Sequence, residues 1–330
     1  MAPAVRLLTR TDVEQLLDVP SCIAAVEDAF RRRGEGQRSP SGVLGVHVED
    51  GGFHAKAAAL TLARPYFVAK VNANFPGNPT RNSLPTIQGV LVLFDAACGS
   101  PLAVMDSASI TTLRTAAASA VAAKHAARRD SSVMTIVGCG VQARAHVAAL
   151  CATLPIKRLH VFDLRTEAAE RFATEMSALH DVVCSASNDL GASTRESDVV
   201  VTCTTATSPF LGTRHIVPGA FVAAVGADNE HKSEIEPSLM QRARVVVDDL
   251  EQCATIGDLH HAIAAGVIAR TDAQASLGDV VAGRCAGRSD NDEIIVFDST
   301  GVAIEDVAAA ACAWERAVAA DVGSSIEFAC

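Results

Sequence analysis

The stretch Val133-Met134-Thr135-Ile136-Val137-Gly138-Cys139-Gly140-Val141-Gln142-Ala143 decides the fold. A β-type run feeds a glycine turn, and the turn opens a helical pattern that continues to Leu150. The glycine spacing is weak evidence until it stands in that strand–turn–helix context. Gly138 permits a tight turn, Gly140 lets the backbone approach a pyrophosphate, and Ala143 is small enough for the helix to pack on the strand. The helix N-terminus, with Val141 and Gln142 in its first turn, offers amide N–H groups and positive potential to phosphates. Asp163 ends the next strand, where a carboxylate accepts hydrogen bonds from a ribose 2′-OH. The loop therefore reads as a dinucleotide site preferring NAD(H), because a 2′-phosphate would meet a like charge. Arg165 and Thr166 lie just beyond, so NADP(H) stays possible.

Outward from this loop, short apolar runs alternate with helical patterns. Leu159–Phe162, Val182–Cys184, Val199–Cys203, Phe221–Val225, Val245–Val247 and Ile294–Phe297 read as strands, and Thr166 to about Leu179 as a helix. Such alternation predicts an α/β fold, a Rossmann-type doubly wound parallel sheet. Upstream, Ile110, Leu113, Ala117, Val121 and Lys124 keep a helical period from Ser107 on. Further upstream the texture changes. Val43–Val48, Tyr66–Val71 and Gly89–Phe94 are strand-like, broken by Asp50-Gly51-Gly52 and by a loop from Asn72 to Pro85. These predict a mixed or antiparallel sheet in a smaller α+β part. Thr11-Asp12-Val13-Glu14 resembles a capping box, a second helical pattern starts at Ile23, and Gly301–Ala319 is an alanine-rich helix.

Composition bounds the function. Of 330 residues 49% are hydrophobic, ample for a packed core, while aromatics are only 4%, so small aliphatic residues must fill it. The formal charge of −10, with no basic block to offset it, argues against nucleic-acid binding. Arg31-Arg32-Arg33 closes a helical pattern, where positive side chains complement the helix dipole. Ten scattered cysteines form no Cys-x-x-Cys pair, and no His-Glu-x-x-His occurs, so free thiols are expected and no metal site. No apolar run reaches membrane-spanning length and Met1–Arg10 lacks a signal-like core, so a cytoplasmic protein is expected.

Several segments together resemble the ornithine cyclodeaminase/mu-crystallin family. They are Ala69-Lys70-Val71-Asn72, Asp95–Pro101 leading to Leu102–Asp106, and Ile110-Thr111-Thr112-Leu113-Arg114-Thr115-Ala116-Ala117. The glycine loop, Gly226-Ala227-Asp228 with Lys232, and Phe297-Asp298-Ser299-Thr300-Gly301 complete the set. The likeness runs in order from about residue 10 to 320. It implies a homodimer, with residues 1–115 and 305–330 as a substrate-binding and dimerisation domain and 116–304 as the NAD(P)-binding domain. It also implies hydride transfer between a nicotinamide and the α-carbon of a small amino or imino acid.

The residues agree with that chemistry. Arg114, in the first turn of an apolar helix beside Thr111 and Thr115, can hold a carboxylate in two parallel hydrogen bonds. An ion pair within the fold is the bland reading. Lys70 follows the apolar run Tyr66–Ala69, which puts its ammonium at a strand mouth. Asp228 follows a strand through Gly226, at the carboxyl end where α/β sheets place ligands, and can manage the proton of the substrate nitrogen. An Asx turn is the alternative. Thr204, Val225, Lys232 and Ser299 match family positions near the dinucleotide, and Thr115 joins the cofactor set. Thr86 joins the substrate set.

The sequence departs from the family pattern in one region. Ser41-Gly42-Val43-Leu44 lacks an arginine that many members carry, and Lys56-Ala57-Ala58 replaces Met-Pro-Ala. Lys56 is the candidate substitute for the missing charge. His54 stands where ornithine-converting members place a glutamate, and histidine is a poorer partner for a second ammonium. The expected activity is therefore reduction of a cyclic imino acid such as Δ1-pyrroline-2-carboxylate to L-proline. Ornithine cyclodeamination, alanine dehydrogenation, and a nicotinamide-binding protein without catalysis are the alternatives.

Overall fold

Helix caps set the first elements. Strand β1 (Val5–Leu8) runs straight into Thr9, whose extended backbone starts helix α1 (Arg10–Leu16). The Thr9 hydroxyl accepts from the Asp12 N–H at 3.3 Å while the Asp12 carboxylate accepts from the Thr9 N–H at 2.8 Å. This is a capping box two residues earlier than the one expected at Thr11, because the helix begins as soon as the strand ends. Asp18 then caps α2 (Val19–Gly34), which starts before Ile23 because Pro20 suits a first helical turn. Of the arginines in its last turn, Arg31 pairs with Asp28 and Glu35, and Arg32 with Asp28. The computed structural model describes residues 4–273 and 275–327.

The chain continues through β2 (Ser41–Val48), β3 (Gly51–Thr61), β4 (Pro65–Asn74), α3 (Asn78–Arg81), β5 (Ile87–Asp95), β6 (Pro101–Asp106) and α4 (Ser107–Ala126). Next come β7 (Val133–Val137), α5 (Val141–Thr153), β8 (Arg158–Phe162), α6 (Thr166–Leu179), β9 (Val183–Ala186) and α7 (Leu190–Arg195). Then follow β10 (Val199–Thr202), β11 (Phe221–Ala224), α8 (Pro237–Arg242), β12 (Arg244–Val247), α9 (Leu250–Ile256) and α10 (Asp258–Ala264). The last elements are β13 (Ala275–Ser276), α11 (Leu277–Val281), β14 (Ile295–Asp298), α12 (Ala303–Ala320) and β15 (Ser324–Ile326). The chain divides into two units, one running to Arg114 and resuming at Ala303, the other Thr115–Val302. The division falls inside α4.

The first unit holds a mixed seven-stranded sheet in the order β15-β1-β6-β5-β4-β3-β2, antiparallel except for the β1–β6 pair. Residues directly opposite one another share a face. Val43, Lys56, Lys70 and Leu91 form one such row across β2–β5, and Leu44, Ala55, Val71 and Val90 form the adjacent row on the other face. Helix α12 packs on β3 and β4 and against α2. Among the described residues the second row stays exposed, Leu44 at 62% and Val90 at 51%.

The second unit is an all-parallel eight-stranded sheet in the order β13-β12-β14-β11-β10-β7-β8-β9. Every residue of β7, β10, β11 and β14 is buried, as strands covered on both faces require. The order reverses direction at β7, with β8 and β9 on one side and β10 and β11 on the other. Ligands of open α/β sheets bind beyond the carboxyl ends of the strands at such a point.

Candidate active site

The glycine loop sits at that reversal. Gly138 has φ +93°, and a Cβ there would meet the Cys203 carbonyl oxygen at 3.0 Å and Thr204 Cγ2 at 3.2 Å. Glycine is required twice over, for backbone angle and for contact with the loop after β10. Gly140 caps α5 without a side-chain hydrogen bond, and a Cβ on it would meet nothing within 4 Å. A thirteen-residue helix thus presents N–H groups and dipole to open space. Asp163 accepts from the Cys139 N–H at 3.1 Å and the Arg165 N–H at 2.9 Å, so it fixes the loop to the end of β8. An ionised carboxylate has about four acceptor sites, which leaves capacity for a ribose diol. Arg165 is 78% exposed, with Nε 3.6 Å from Asp163.

Two side-chain oxygens of the cofactor set, Gln142 Oε1 and Ser299 Oγ, are buried without a hydrogen-bond partner. Such atoms are costly unless a ligand or water meets them, and this fits a dinucleotide. Val141 is largely exposed, and Thr115 and Val225 are buried. Arg144, which sequence reasoning missed, donates to the Cys139 and Gly140 carbonyls at 3.2 and 3.1 Å and pairs with Glu175 at 2.6 Å. It draws the loop's carbonyl oxygens to one side. Its only sequence signal is a charge inside an apolar helix turn.

Beyond β10 and β11, Thr204 donates its N–H and hydroxyl to Glu234, both at 2.7 Å. The Asp228 side chain is 56% exposed and its Oδ1 accepts from Lys232 Nζ at 2.7 Å. Asp228 and Lys232 are therefore partners of each other. The Asx turn here belongs to Asn229, whose Oδ1 accepts from the His231 N–H, and not to Asp228. The Lys232 carbonyl is 2.8 Å from His261 Nε2.

In the first unit the expected cations are deeply buried. Lys70 lies in the middle of β4 and not at a strand mouth, because its row faces α12. Its Nζ sits 2.8 and 2.7 Å from the two Asp306 oxygens and 3.1 Å from Thr111 Oγ1. Arg114 lies about two turns into α4 and not in its first turn, since the helix starts at Ser107. Its Nε donates to Asp306 at 3.0 Å and its Nη1 to Glu305 at 2.7 Å. The ion-pair reading of Arg114 is thus realised, and Lys70 shares it. Burial pulls the Lys70 ammonium down to about 7, against the pull of Asp306, and the like charges of Arg114 and Lys56 add to the fall. Burial would raise the Asp306 carboxyl, but Lys70 and Arg114 hold it below its ordinary value.

Lys56 is directly opposite Lys70 across β3 and β4, and His54 is opposite Asn72 two positions along the same face. Asn72 Oδ1 accepts from the Ser107 hydroxyl at 2.6 Å, and the two crowd over Gly89, where no Cβ would fit. Thr86 lies before β5, where its carbonyl accepts from the Phe75 N–H at 2.9 Å. Sequence reasoning missed Glu305 and Asp306. The signal was present as two adjacent acids at the head of an alanine-rich helix, both fully buried in the structure. Among the described residues no group of His, Cys, Asp or Glu has metal-binding geometry, and no helix is long and apolar enough to cross a membrane. The nine described cysteines are free.

Known proteins are similar to this chain over nearly its full length. The model of the ornithine cyclodeaminase/mu-crystallin family matches residues 4–321. An alanine dehydrogenase of Archaeoglobus fulgidus is 37% identical over 98% of each chain. The structure of an archaeal alanine dehydrogenase dimer with bound NAD superposes with a TM-score of 0.93 at 36% identity, covering 99% of this chain and 100% of that one. That of the Thermococcus litoralis Δ1-pyrroline-2-carboxylate reductase with NADH and L-proline gives 0.92 at 32%, covering 98% and 100%. The chain belongs to the ornithine cyclodeaminase/mu-crystallin family.

Proposed function

We propose that this chain is an NAD(H)-dependent oxidoreductase of small amino and imino acids, reducing a cyclic imino acid of the Δ1-pyrroline-2-carboxylate type. The observation that carries the reading is the buried Lys70–Arg114–Asp306–Glu305 network. An α-amino acid needs fixed positive charge for its carboxylate, and two cations pinned by carboxylates are held ready before substrate arrives. Lys56 and Lys70 face the same side and extend that charge. Gly138, Gly140 and the N-terminus of α5 would hold the pyrophosphate, Asp163 the adenosine ribose, and Gln142 and Ser299 supply polar contacts; bound NADH supplies the hydride. Net reaction is imine plus NADH plus a proton giving amine plus NAD. Asp228 is assigned the proton of the substrate nitrogen. Lys70, with an ammonium near neutrality, is suited to exchanging protons as substrate charge enters and leaves.

Alanine dehydrogenation is the second reading, favoured by the full-length likeness to such an enzyme. Ornithine cyclodeamination is disfavoured because His54 shares its face with Lys56 and Lys70, poor company for a second ammonium. Homodimerisation is part of the proposal. It would cover the exposed row Leu44, Val71 and Val90, and β2, a long bare edge strand rich in valine. A panel of imino and amino acids read by NADH absorbance tests the reading, with light scattering for the dimer. Rapid oxidation of NADH by Δ1-pyrroline-2-carboxylate is expected. NADH binding without turnover of any panel member would mean a binding protein instead.

A further inference from the structure

Unit Thr115–Val302 buries four carboxylates at the carboxyl edge of its sheet, Glu234, Asp248, Asp258 and Asp298. Among the described residues they are met by backbone N–H groups, hydroxyls and the Cys253 thiol. Glu234 differs from the rest in what it grips. Its Oε1 accepts from the Thr204 N–H and hydroxyl, both at 2.7 Å. Its Oε2 accepts from the Thr202 hydroxyl at 2.7 Å and the Gly226 N–H at 2.8 Å. One carboxylate thus ties the loop after β10, which carries Thr204, to the loop after β11, which carries Asp228. Gly226 is glycine because a Cβ there would lie 2.4–2.6 Å from the Glu234 carboxyl group. Glu234 is itself anchored: Asp258 Oδ1 accepts from the Glu234 and Ile235 N–H groups at 2.8 and 3.0 Å. Asp298, at the end of β14, accepts in turn from the Asp258 and Leu259 N–H groups at 3.3 and 2.9 Å.

We infer that Glu234 is a positioning residue, which sets the Thr204 and Gly226–Asp228 loops for the dinucleotide without touching it. The inference rests on the NAD(H)-binding reading above. Its geometry makes a sharp demand. Each carboxylate oxygen faces one backbone N–H, a group that can only donate. A glutamine at 234 must therefore aim its amide NH2 at one of them in either flip, whereas an aspartate keeps two acceptors a methylene short.

The test is NADH affinity by fluorescence titration on the full chain, beside thermal unfolding. Glu234→Gln is expected to weaken NADH binding by about tenfold to a hundredfold, as one mispaired buried donor would. Glu234→Asp should restore part of that affinity, and Gly226→Ala, which displaces the carboxylate, should reproduce the loss. Asp198→Asn is the control for mere folding. Asp198 sits at the amino end of β10, where it accepts from the Ser132 and Val133 N–H groups at 2.7 and 3.0 Å. It should lower Tm and leave NADH affinity alone. Wild-type affinity in Glu234→Gln would overturn the inference, as would a loss that only follows Tm in all variants. If Glu234→Gln does not fold, unchanged affinity in Glu234→Asp overturns it. A wild-type chain that binds no NADH removes the functional reading and this inference with it.

Discussion

Both units bury charge, and they compensate it in opposite ways. Around α12, Lys70 and Arg114 meet Asp306 and Glu305, so charge answers charge. At the edge of the parallel sheet, Glu234, Asp248, Asp258 and Asp298 are answered by backbone N–H groups and hydroxyls. The pKa directions follow. Asp306 is held low by its cations, while burial pushes Glu234, Asp248, Asp258 and Asp298 up. The first arrangement pairs each buried ion with an opposite charge. The second ties loops in place through carboxylates met by uncharged donors.

The contrast breaks most visibly at Asp306. Asp306→Ala leaves Arg114 with only part of its compensation in a dry site, and should cost about 3–5 kcal/mol. Urea unfolding measures it; a cost below about 1 kcal/mol would mean water reaches the cluster. Next comes Arg114→Lys, which keeps the charge and loses the planar fork. We expect kcat/KM for the imino acid to fall by about 2 kcal/mol, or thirtyfold, with the loss chiefly in KM if the role is carboxylate binding. Asp163→Ser should move cofactor preference toward NADPH by about tenfold, since it removes the like charge; an unchanged ratio of NADH to NADPH dissociation constants would clear Asp163 of that role.

The smallest effect sharpens the comparison by pH. Asp258 is pushed up to about 7, first by burial and then by the charge of Glu234. Between its ordinary value of 3.8 and about 7, the folded state holds a proton that the unfolded state has released. Its contribution to stability is therefore present at low pH and declines as pH rises through that window. Asp258→Asn should flatten the fall in Tm between about pH 4 and pH 7. A slope as steep as that of the wild type would place the titration elsewhere.

The parallel sheet was legible because strands buried on both faces are unbroken apolar runs, and its helices keep a 3.6-residue period. Strand boundaries moved by only one or two residues, as at Val183–Ala186. The other sheet was half legible. β3 contains Ala55-Lys56-Ala57-Ala58-Ala59, which has little strand preference of its own and is held by full-length pairing with β2 and β4. β1 and β15 are short and find each other across almost the whole chain, Val5 opposite Ile326. In the candidate site the glycine loop could be read because its chemistry is local. The partners of Lys70 and Arg114 could not, since Asp306 lies 236 residues beyond Lys70 and 192 beyond Arg114.

That separation has a consequence during synthesis. A ribosome adding about 5–20 residues per second delivers Asp306 on the order of 10–50 s after Lys70. Through that interval the nascent strands β3 and β4 carry Lys56 and Lys70 side by side with no acid from α12 to meet them. The parallel sheet, whose last strand ends at Asp298, is translated in full before the segment that neutralises the first unit has emerged. The protein is therefore built in an order unlike its sequence. Its first-made part waits, hydrated and unfinished, for its last-made helix.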